Sequence, residues 1–353
     1  MEKTNEFAFH RIPAPLLSWY NAYKRDLPWR KEPTPYRVWV SEIMLQQTRV
    51  EAVKEYYRRF MEQLPTVEAL AACEEEKLLK LWEGLGYYSR VRNLQKAAKK
   101  IVVEYDGKFP VTLAELKSLP GVGSYTAGAI ASIAYGMPCA AVDGNVFRVA
   151  ARLEENPTVI SDPKYRRYLE EKISAIYPPA GRACADFTQS LFELGALICK
   201  PQNPDCAACP LRDLCRAYAH GTQAEYPVLP KKAAKRQENV YAFLIETPQG
   251  ICIRRREEGV LRGMNEIPSV IVADSGETAE NILNEWGMYE FKEVKRQKYT
   301  HIFTHIRWDI TCVWVRTEYA PFDAYTLEEI EETVSLPTAF KQCFAILKDK
   351  NER

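Results

Sequence analysis

The chain has 353 residues, 46% of them hydrophobic, and a formal net charge of +1; this exceeds one ordinary hydrophobic core and points to a folded protein of two or three domains. Near-neutral charge excludes binding of nucleic acid through bulk charge, so any such affinity must come from local basic clusters and backbone donors. No apolar run approaches the roughly 18 residues that span a membrane, and the N-terminal MEKTNEFAFHRIP lacks a basic-then-apolar export pattern, so a cytoplasmic protein with no membrane partner is expected.

From about Leu16 to Ala219 apolar residues recur at helical spacing, as in Val40, Ile43, Met44, Val50, Val53, Tyr57 and Phe60. Turn-rich breaks at Glu83 to Ser89, Asp106 to Pro110, Pro120 to Ser124 and Tyr177 to Gly181 divide this region into many short helices. A helix beginning near Arg37 carries VWVSEIMLQQTRV and sets Glu42 among Trp39, Val40, Ile43 and Leu45. Apolar surroundings raise a carboxyl pKa, which suits a general acid; a surface glutamate near Arg37 or Arg49 is the plainer alternative.

Further on, LPGVGSYTAGAI is followed by AVDGN. Pro120, Gly121 and Gly123 allow a tight turn whose amides can approach a phosphate, and Thr126, Ala127, Gly128 and Ala129 begin a helix behind it, together a helix-hairpin-helix. Asp143 precedes Gly144 and Asn145 at the expected start of the next helix, where orphan amides favour an ionised carboxylate. Such an aspartate is either a plain cap or an anion able to face a developing cation. With Glu42 it makes a carboxyl pair of the kind in which one acid protonates a leaving group and one anion stabilises an oxocarbenium ion.

Cys199, Cys206, Cys209 and Cys215 are spaced C-x6-C-x2-C-x5-C. Four thiolates in one compact loop can enclose a [4Fe–4S] cluster. Structural zinc is the alternative, but it usually takes two closely spaced pairs, and only Cys206 and Cys209 form one. Lys200 and Arg212 flank the loop and could meet phosphates or merely be solvated. The scattered Cys73, Cys139, Cys184, Cys252, Cys312 and Cys343 read as ordinary thiols.

The basic, proline-containing stretch at 221–238 reads as a linker. Beyond it NVYAFLIET, GICIRRR and the alternation of Trp308, Ile310, Cys312 and Trp314 predict strands, with helices at Thr278 to Trp286 and Pro337 to Lys348, giving an α+β domain.

LPWR at Leu27 to Arg30, SEIMLQQTRV at Ser41 to Val50, WEGLGYYSRVRNL at Trp82 to Leu94, LPGVGSYTAG, VDGNVFRV and the four-cysteine loop occur in that order. On them the chain resembles the MutY-type adenine DNA glycosylases of the endonuclease-III-like, helix-hairpin-helix superfamily. The resemblance implies an all-α glycosylase region at 1–220, made of a six-helix barrel module at about 30–135 and an iron–sulfur module from the N-terminus plus about 136–220. A linker at 221–238 and a Nudix-like lesion-recognition domain at 239–353 follow. It implies removal of adenine paired with 8-oxoguanine or guanine in double-stranded DNA, by a monomer carrying a [4Fe–4S] cluster on Cys199, Cys206, Cys209 and Cys215.

By the same resemblance Glu42 protonates adenine N7 and Asp143 stabilises the sugar cation or bonds to it, with Tyr125 and Asn145 in support. Arg25, Trp29, Leu45 and Gln189 line the pocket for the extruded base; Gln47 and Tyr87 wedge into the stack, and Gly121 and Gly123 meet DNA. Phe303, Thr304 and His305 stand where the family usually has Phe-Ser-His against the oxidised base. Thr304 adds a methyl, and Asn265 replaces a larger apolar residue common in relatives. The acidic Nudix hydrolase helix is lacking, so pyrophosphohydrolase activity is not expected.

Tyr125 separates close relatives: bifunctional members carry a lysine there that forms a Schiff base and cleaves the strand. The competing readings are such a bifunctional glycosylase/lyase and a non-catalytic iron–sulfur DNA-binding protein.

Overall fold

The computed structural model describes residues 7–231, 234–272 and 277–348; the N-terminal MEKTNE, linker positions 232 and 233, 273–276 and the last residues lie outside these. The chain divides into two compact units, residues up to 72 with 92–231, and 73–91 with 232 onward. The division after 231 lies inside the 221–238 stretch.

Among its described residues the first unit has helices as its only regular elements. Helix Pro35–Leu45 starts on Thr34, whose side chain accepts from the Arg37 amide, and buries nearly every residue from Tyr36 to Met44. It ends earlier than the periodicity suggests. Gln46 leaves the helical region, Gln47 takes φ 57°, and a separate helix, Val50–Gln63, follows. The first helix is buried nearly all round and the second buries Val53, Tyr57 and Phe60 on one face, so the apolar spacing runs on across a turn that contains neither glycine nor proline.

The expected hairpin forms from helix Leu113–Lys117, a turn, and helix Ser124–Ala129, which continues as a π-helical turn at Ile130–Ala134. Gly121 has φ 77°, which favours glycine, whereas Gly123 is extended. Gly128 permits a close crossing, since a Cβ there would lie 2.1 Å from the Ala140 carbonyl oxygen. Helix Gly144–Glu154 is capped by Asp143 and packs on helix Arg182–Leu197. At that crossing a Cβ on Gly195 would sit 2.5 Å from the Asn145 Cβ. Phe7, Phe9, Ile12 and Leu16 join Phe147, Leu153, Leu169, Phe187, Leu194 and Leu211 in one core, against which Cys199, Cys209 and Cys215 pack.

The second unit contains strands β1 (Arg236–Thr247), β2 (Gly250–Arg255), β3 (Asn265–Glu266), β4 (Ser269–Val272), β5 (Lys292–Ile302), β6 (Ile306–Arg316) and β7 (Asp323–Tyr325). Their order is β3-β2-β1-β6-β5, with β4 beside β1 and β7 beside β2. β1 and β6 run parallel from Arg236↔Ile306 to Glu246↔Arg316, and the other pairings are antiparallel. β1 therefore starts inside the stretch expected to be linker.

Trp308, Ile310, Cys312 and Trp314 share one face with Val240, Ala242 and Leu244, covered by Phe340, Cys343 and Ile346. Phe243, Ile245, Val313 and Val315 form the other, covered by Ile282 and Leu283 of helix Ala279–Glu285. With both faces buried, β6 is apolar at successive positions near its end instead of strictly alternating. The helix expected over Pro337 to Lys348 is interrupted, as Thr338–Lys341, a 3₁₀ turn at Gln342–Phe344, then Ala345–Lys348. No helix among the described residues is long and apolar enough to cross a membrane.

Candidate active site

One cavity of about 850 Å³ in the first unit is lined by Arg25, Trp29, Glu42, Leu45, Gln47, Tyr125, Asp143, Asn145 and Gln189. It gathers residues that lie far apart in sequence. Glu42 comes from helix Pro35–Leu45, Tyr125 from the second hairpin helix, and Asp143 and Asn145 from the cap and first turn of Gly144–Glu154.

Glu42 is 4% exposed and accepts a hydrogen bond from the Tyr125 hydroxyl. Burial pushes its carboxyl up to about 7, opposed by the Tyr125 bond, raised further by Asp143 and lowered by Arg30. Tyr125 itself is pushed well above the usual phenol value by burial and by both carboxylates. It is thus a neutral donor that orients Glu42, and it holds no amine.

Asp143 accepts from the Val146 amide at 2.8 Å and from Asn145 Nδ2 at 2.7 Å. The helix start was expected to favour its ionised form. Burial nevertheless raises its pKa, while those donors and Arg148 pull the other way. Asp143 has two nitrogen donors where Glu42 has one hydroxyl, so Asp143 is the better-stabilised anion of the pair. The site therefore holds one carboxyl equipped to carry a proton and one equipped to carry charge.

Residues that the sequence did not single out organise the walls. Glu193, 1% exposed, takes Arg25 Nε at 2.7 Å, Arg25 Nη2 at 2.8 Å and Arg30 Nη2 at 2.9 Å. Burial raises its carboxyl, but the two guanidinium groups outweigh that and hold it at about 2. Arg148 bonds Asn145 Oδ1 at 2.8 Å and the Cys199 carbonyl at 2.8 Å, linking the Asp143 side of the cavity to the cysteine loop. Arg30 and Arg148 stand inside LPWR and VDGNVFRV, which is the signal that could have found them; Glu193 is an acidic residue in an apolar helical run.

The other expected site residues lie elsewhere. Gly121 and Gly123 form the hairpin turn and do not line the cavity. Tyr87 and the Phe303, Thr304, His305 turn between β5 and β6 belong to the second unit. Gln47 and Tyr87 both have left-handed backbones, with φ 57° and 48°.

Cys199, Cys206, Cys209 and Cys215 line one small cavity, and none is in a disulfide. Burial pushes the Cys209 thiol up to about 12, with neighbouring cysteines adding to it, and Cys206 and Cys215 shift the same way. Burial disfavours the thiolate form at Cys206, Cys209 and Cys215, so these sulfurs call for a compensating cationic group, which fits an iron–sulfur cluster held with Cys199 in the same cavity. Arg152 Nη1 lies 3.4 Å from Cys199 Sγ and bonds the Lys200 carbonyl at 2.7 Å, bracing the loop.

Residues 40–175 match the HhH-GPD superfamily base excision DNA repair protein, 199–215 the iron-sulfur binding domain of endonuclease III, and 240–345 the NUDIX domain. The adenine DNA glycosylase of Mus musculus is 33% identical over 96% of this chain and 78% of its own length. The chain belongs to the adenine DNA glycosylase family. The family member from Arabidopsis thaliana is 36% identical over 84% of this chain, which spans 56% of that relative. A solved non-covalent endonuclease III–DNA complex is 26% identical with a TM-score of 0.52, covering 62% of this chain and 100% of that one. The fold is thus a helix-hairpin-helix glycosylase region with a Nudix-like C-terminal domain, and the cysteine loop is of the [4Fe–4S] type rather than a zinc site.

Proposed function

We propose that this chain is a monofunctional adenine DNA glycosylase that removes adenine opposite 8-oxoguanine or guanine in duplex DNA and leaves an abasic site. The observation that carries this reading is the carboxyl pair: Glu42, bonded by Tyr125, and Asp143, held by an amide and Asn145, line one cavity with room for a nucleobase. Adenine inside a duplex is inaccessible, so it is first extruded at a cost of a few kcal/mol. Its base lies in the cavity against Trp29, Leu45, Gln189 and Arg25.

Glu42, whose carboxyl is raised to about 7 and so carries a proton part of the time at neutral pH, donates to N7 and makes adenine a neutral leaving group. As the C1′–N9 bond lengthens, positive charge grows on the sugar and Asp143 stabilises it, by charge or through a covalent bond. Water then takes the place of the base, with the Glu42 carboxylate oriented by Tyr125 to accept its proton. Tyr125 offers no amine for a Schiff base, so no efficient strand cleavage accompanies base loss.

Around this centre, Gln47 and Tyr87 are proposed wedges, and left-handed backbones at non-glycine residues are the strain that functional positions tolerate. Gly121 and Gly123 present hairpin amides to a phosphate, and a Cβ on Gly123 would meet nothing, leaving open space for a close partner. The [4Fe–4S] cluster, held by Cys199, Cys206, Cys209 and Cys215, orders a loop too small for its own core. Residues 239–353 read the lesion through Phe303, Thr304 and His305, the protein acting as a monomer.

The test is incubation with duplexes carrying adenine opposite 8-oxoguanine, guanine or thymine, followed by alkali. Abasic sites are expected from the first two only. Strand cleavage without alkali, trapped by borohydride, would instead establish the bifunctional reading, and no base release from any duplex would leave a DNA-binding protein.

A further inference from the structure

Residues 73–91 belong with the second unit, and the contacts that fasten them there are specific. Glu83 Oε1 accepts from the Leu336 amide at 2.7 Å, while its other oxygen meets Lys341 at 2.9 Å and Lys80 at 3.2 Å. Lys80 Nζ donates to the carbonyls of Ile330 and Val334, closing the end of helix Leu327–Glu332, and Ser335 Oγ donates to the Leu79 carbonyl. Glu76 accepts from Asn265 Nδ2 at 3.2 Å and pairs with Arg255. Asn265, a departure from the family's pattern, thus has a partner in this same segment.

What the fastening holds is the loop that ends in Tyr87. Trp82 Nε1 and Arg90 Nη2 both donate to the Gly86 carbonyl, and the Arg90 guanidinium lies over the rings of Trp82 and Tyr87. The Tyr87 side is half-exposed, and its hydroxyl reaches the Thr304 hydroxyl at 3.1 Å. Thr304 is anchored in turn: Lys235 Nζ bonds the Phe303 carbonyl at 2.8 Å, and the Phe303 ring packs edge-on against Trp308, itself under Arg256.

We propose that Glu83 is a positioning residue for lesion readout. It holds the 82–88 loop on the C-terminal unit so that Tyr87 and Thr304 meet the oxidised base as one linked pair, although Glu83 itself touches no DNA. Its carboxylate, 11% exposed, serves a backbone amide and two ammonium groups at once, a charge-assisted anchor added to those that already hold the Tyr87–Thr304 hydroxyl contact. The inference rests on the adenine:8-oxoguanine reading above.

The experiment compares Glu83→Ala, Glu83→Gln and Lys341→Met with the full-length cluster-bearing protein, measuring duplex affinity and single-turnover adenine release opposite 8-oxoguanine and opposite guanine. Loss of a charge-assisted bond corresponds to about ten- to hundredfold, so Glu83→Ala is expected to weaken 8-oxoguanine duplex binding by about tenfold or more. Binding opposite guanine changes little, and release at saturating enzyme is kept for both. Glu83→Gln, whose amide oxygen still accepts from Leu336, restores most of the preference. Lys341→Met shifts it the same way to a smaller extent and serves if Glu83→Ala fails to fold. Equal loss opposite both bases, or an unchanged preference in Glu83→Ala or in Lys341→Met, overturns the proposal. A wild-type protein that releases no adenine overturns the functional reading itself.

Discussion

Glu42 is raised to about 7, so that it is partly protonated near neutrality, mainly because its carboxyl is buried. If it is the acid, kcat/KM for adenine release stays level as pH rises to about 7 and falls above it, and Glu42→Gln removes the activity, by about a thousandfold for a lost general acid. The stability sign is the reverse. A carboxyl whose folded pKa exceeds its unfolded one costs nothing at low pH and penalises the fold increasingly from about 4.5 to about 7. Glu42→Gln is therefore expected to raise stability at pH 8 by about 1–3 kcal/mol, read by denaturant unfolding.

Glu193 runs the other way. Its folded pKa is depressed, so its contribution is present above about 4.5 and is lost as pH falls towards about 2. Glu193→Ala leaves Arg25 and Arg30 without their carboxylate and should cost about 2–3 kcal/mol, less than a fully buried pair because Arg25 is partly exposed. A melting temperature unchanged from wild type would contradict this.

At the scale of elements, legibility followed local chemistry. The Asp143 cap was readable because side-chain oxygens at helix starts have one obvious task; the helix read from Thr278 forms as Ala279–Glu285, with the Thr278 side chain accepting from the Asn281 amide. The end of helix Pro35–Leu45 was not readable, because Gln46 and Gln47 carry no turn signature and the left-handed residue is imposed by the surrounding fold. Likewise β1 reaches back to Arg236 because β6 offers a partner there, which no property of KRQE announces.

The cysteine loop belongs to this scale too. Its spacing showed a four-thiol site, but its bracing by Arg148 and Arg152 depends on a helix lying opposite it. Cys209→Ser is expected to lose the visible iron–sulfur absorbance and to unfold at a lower temperature. Retention of full colour would remove Cys209 from the ligand set.

Across the whole molecule, the motifs gave the family and the 221–238 stretch contains the division after 231, while the placement of 73–91 stayed hidden. Nothing in the sequence of residues 73–91 sets them apart from their neighbours, yet Lys80, Glu83 and Ser335 assign them to the second unit through contacts more than 200 positions apart in sequence. The Glu193 cluster was hidden for the same reason, since a carboxylate and two arginines over 160 positions away are legible as a pair only in three dimensions. Glu42 and Asp143 were nominated separately, by apolar context and by helix start, and it is the fold that turns them onto one cavity.

That convergence is the central claim, and it is tested most directly by single-turnover adenine release from a duplex carrying adenine opposite 8-oxoguanine, using Glu42→Gln, Asp143→Asn and the double variant. Groups acting as a unit on one bond are non-additive. Each single variant should lose about a thousandfold or more while still binding the duplex, and the double variant should be no slower than the worse single. Losses that simply multiply, or near-wild-type release from either single variant, would mean that the two carboxylates do not work on the same glycosidic bond.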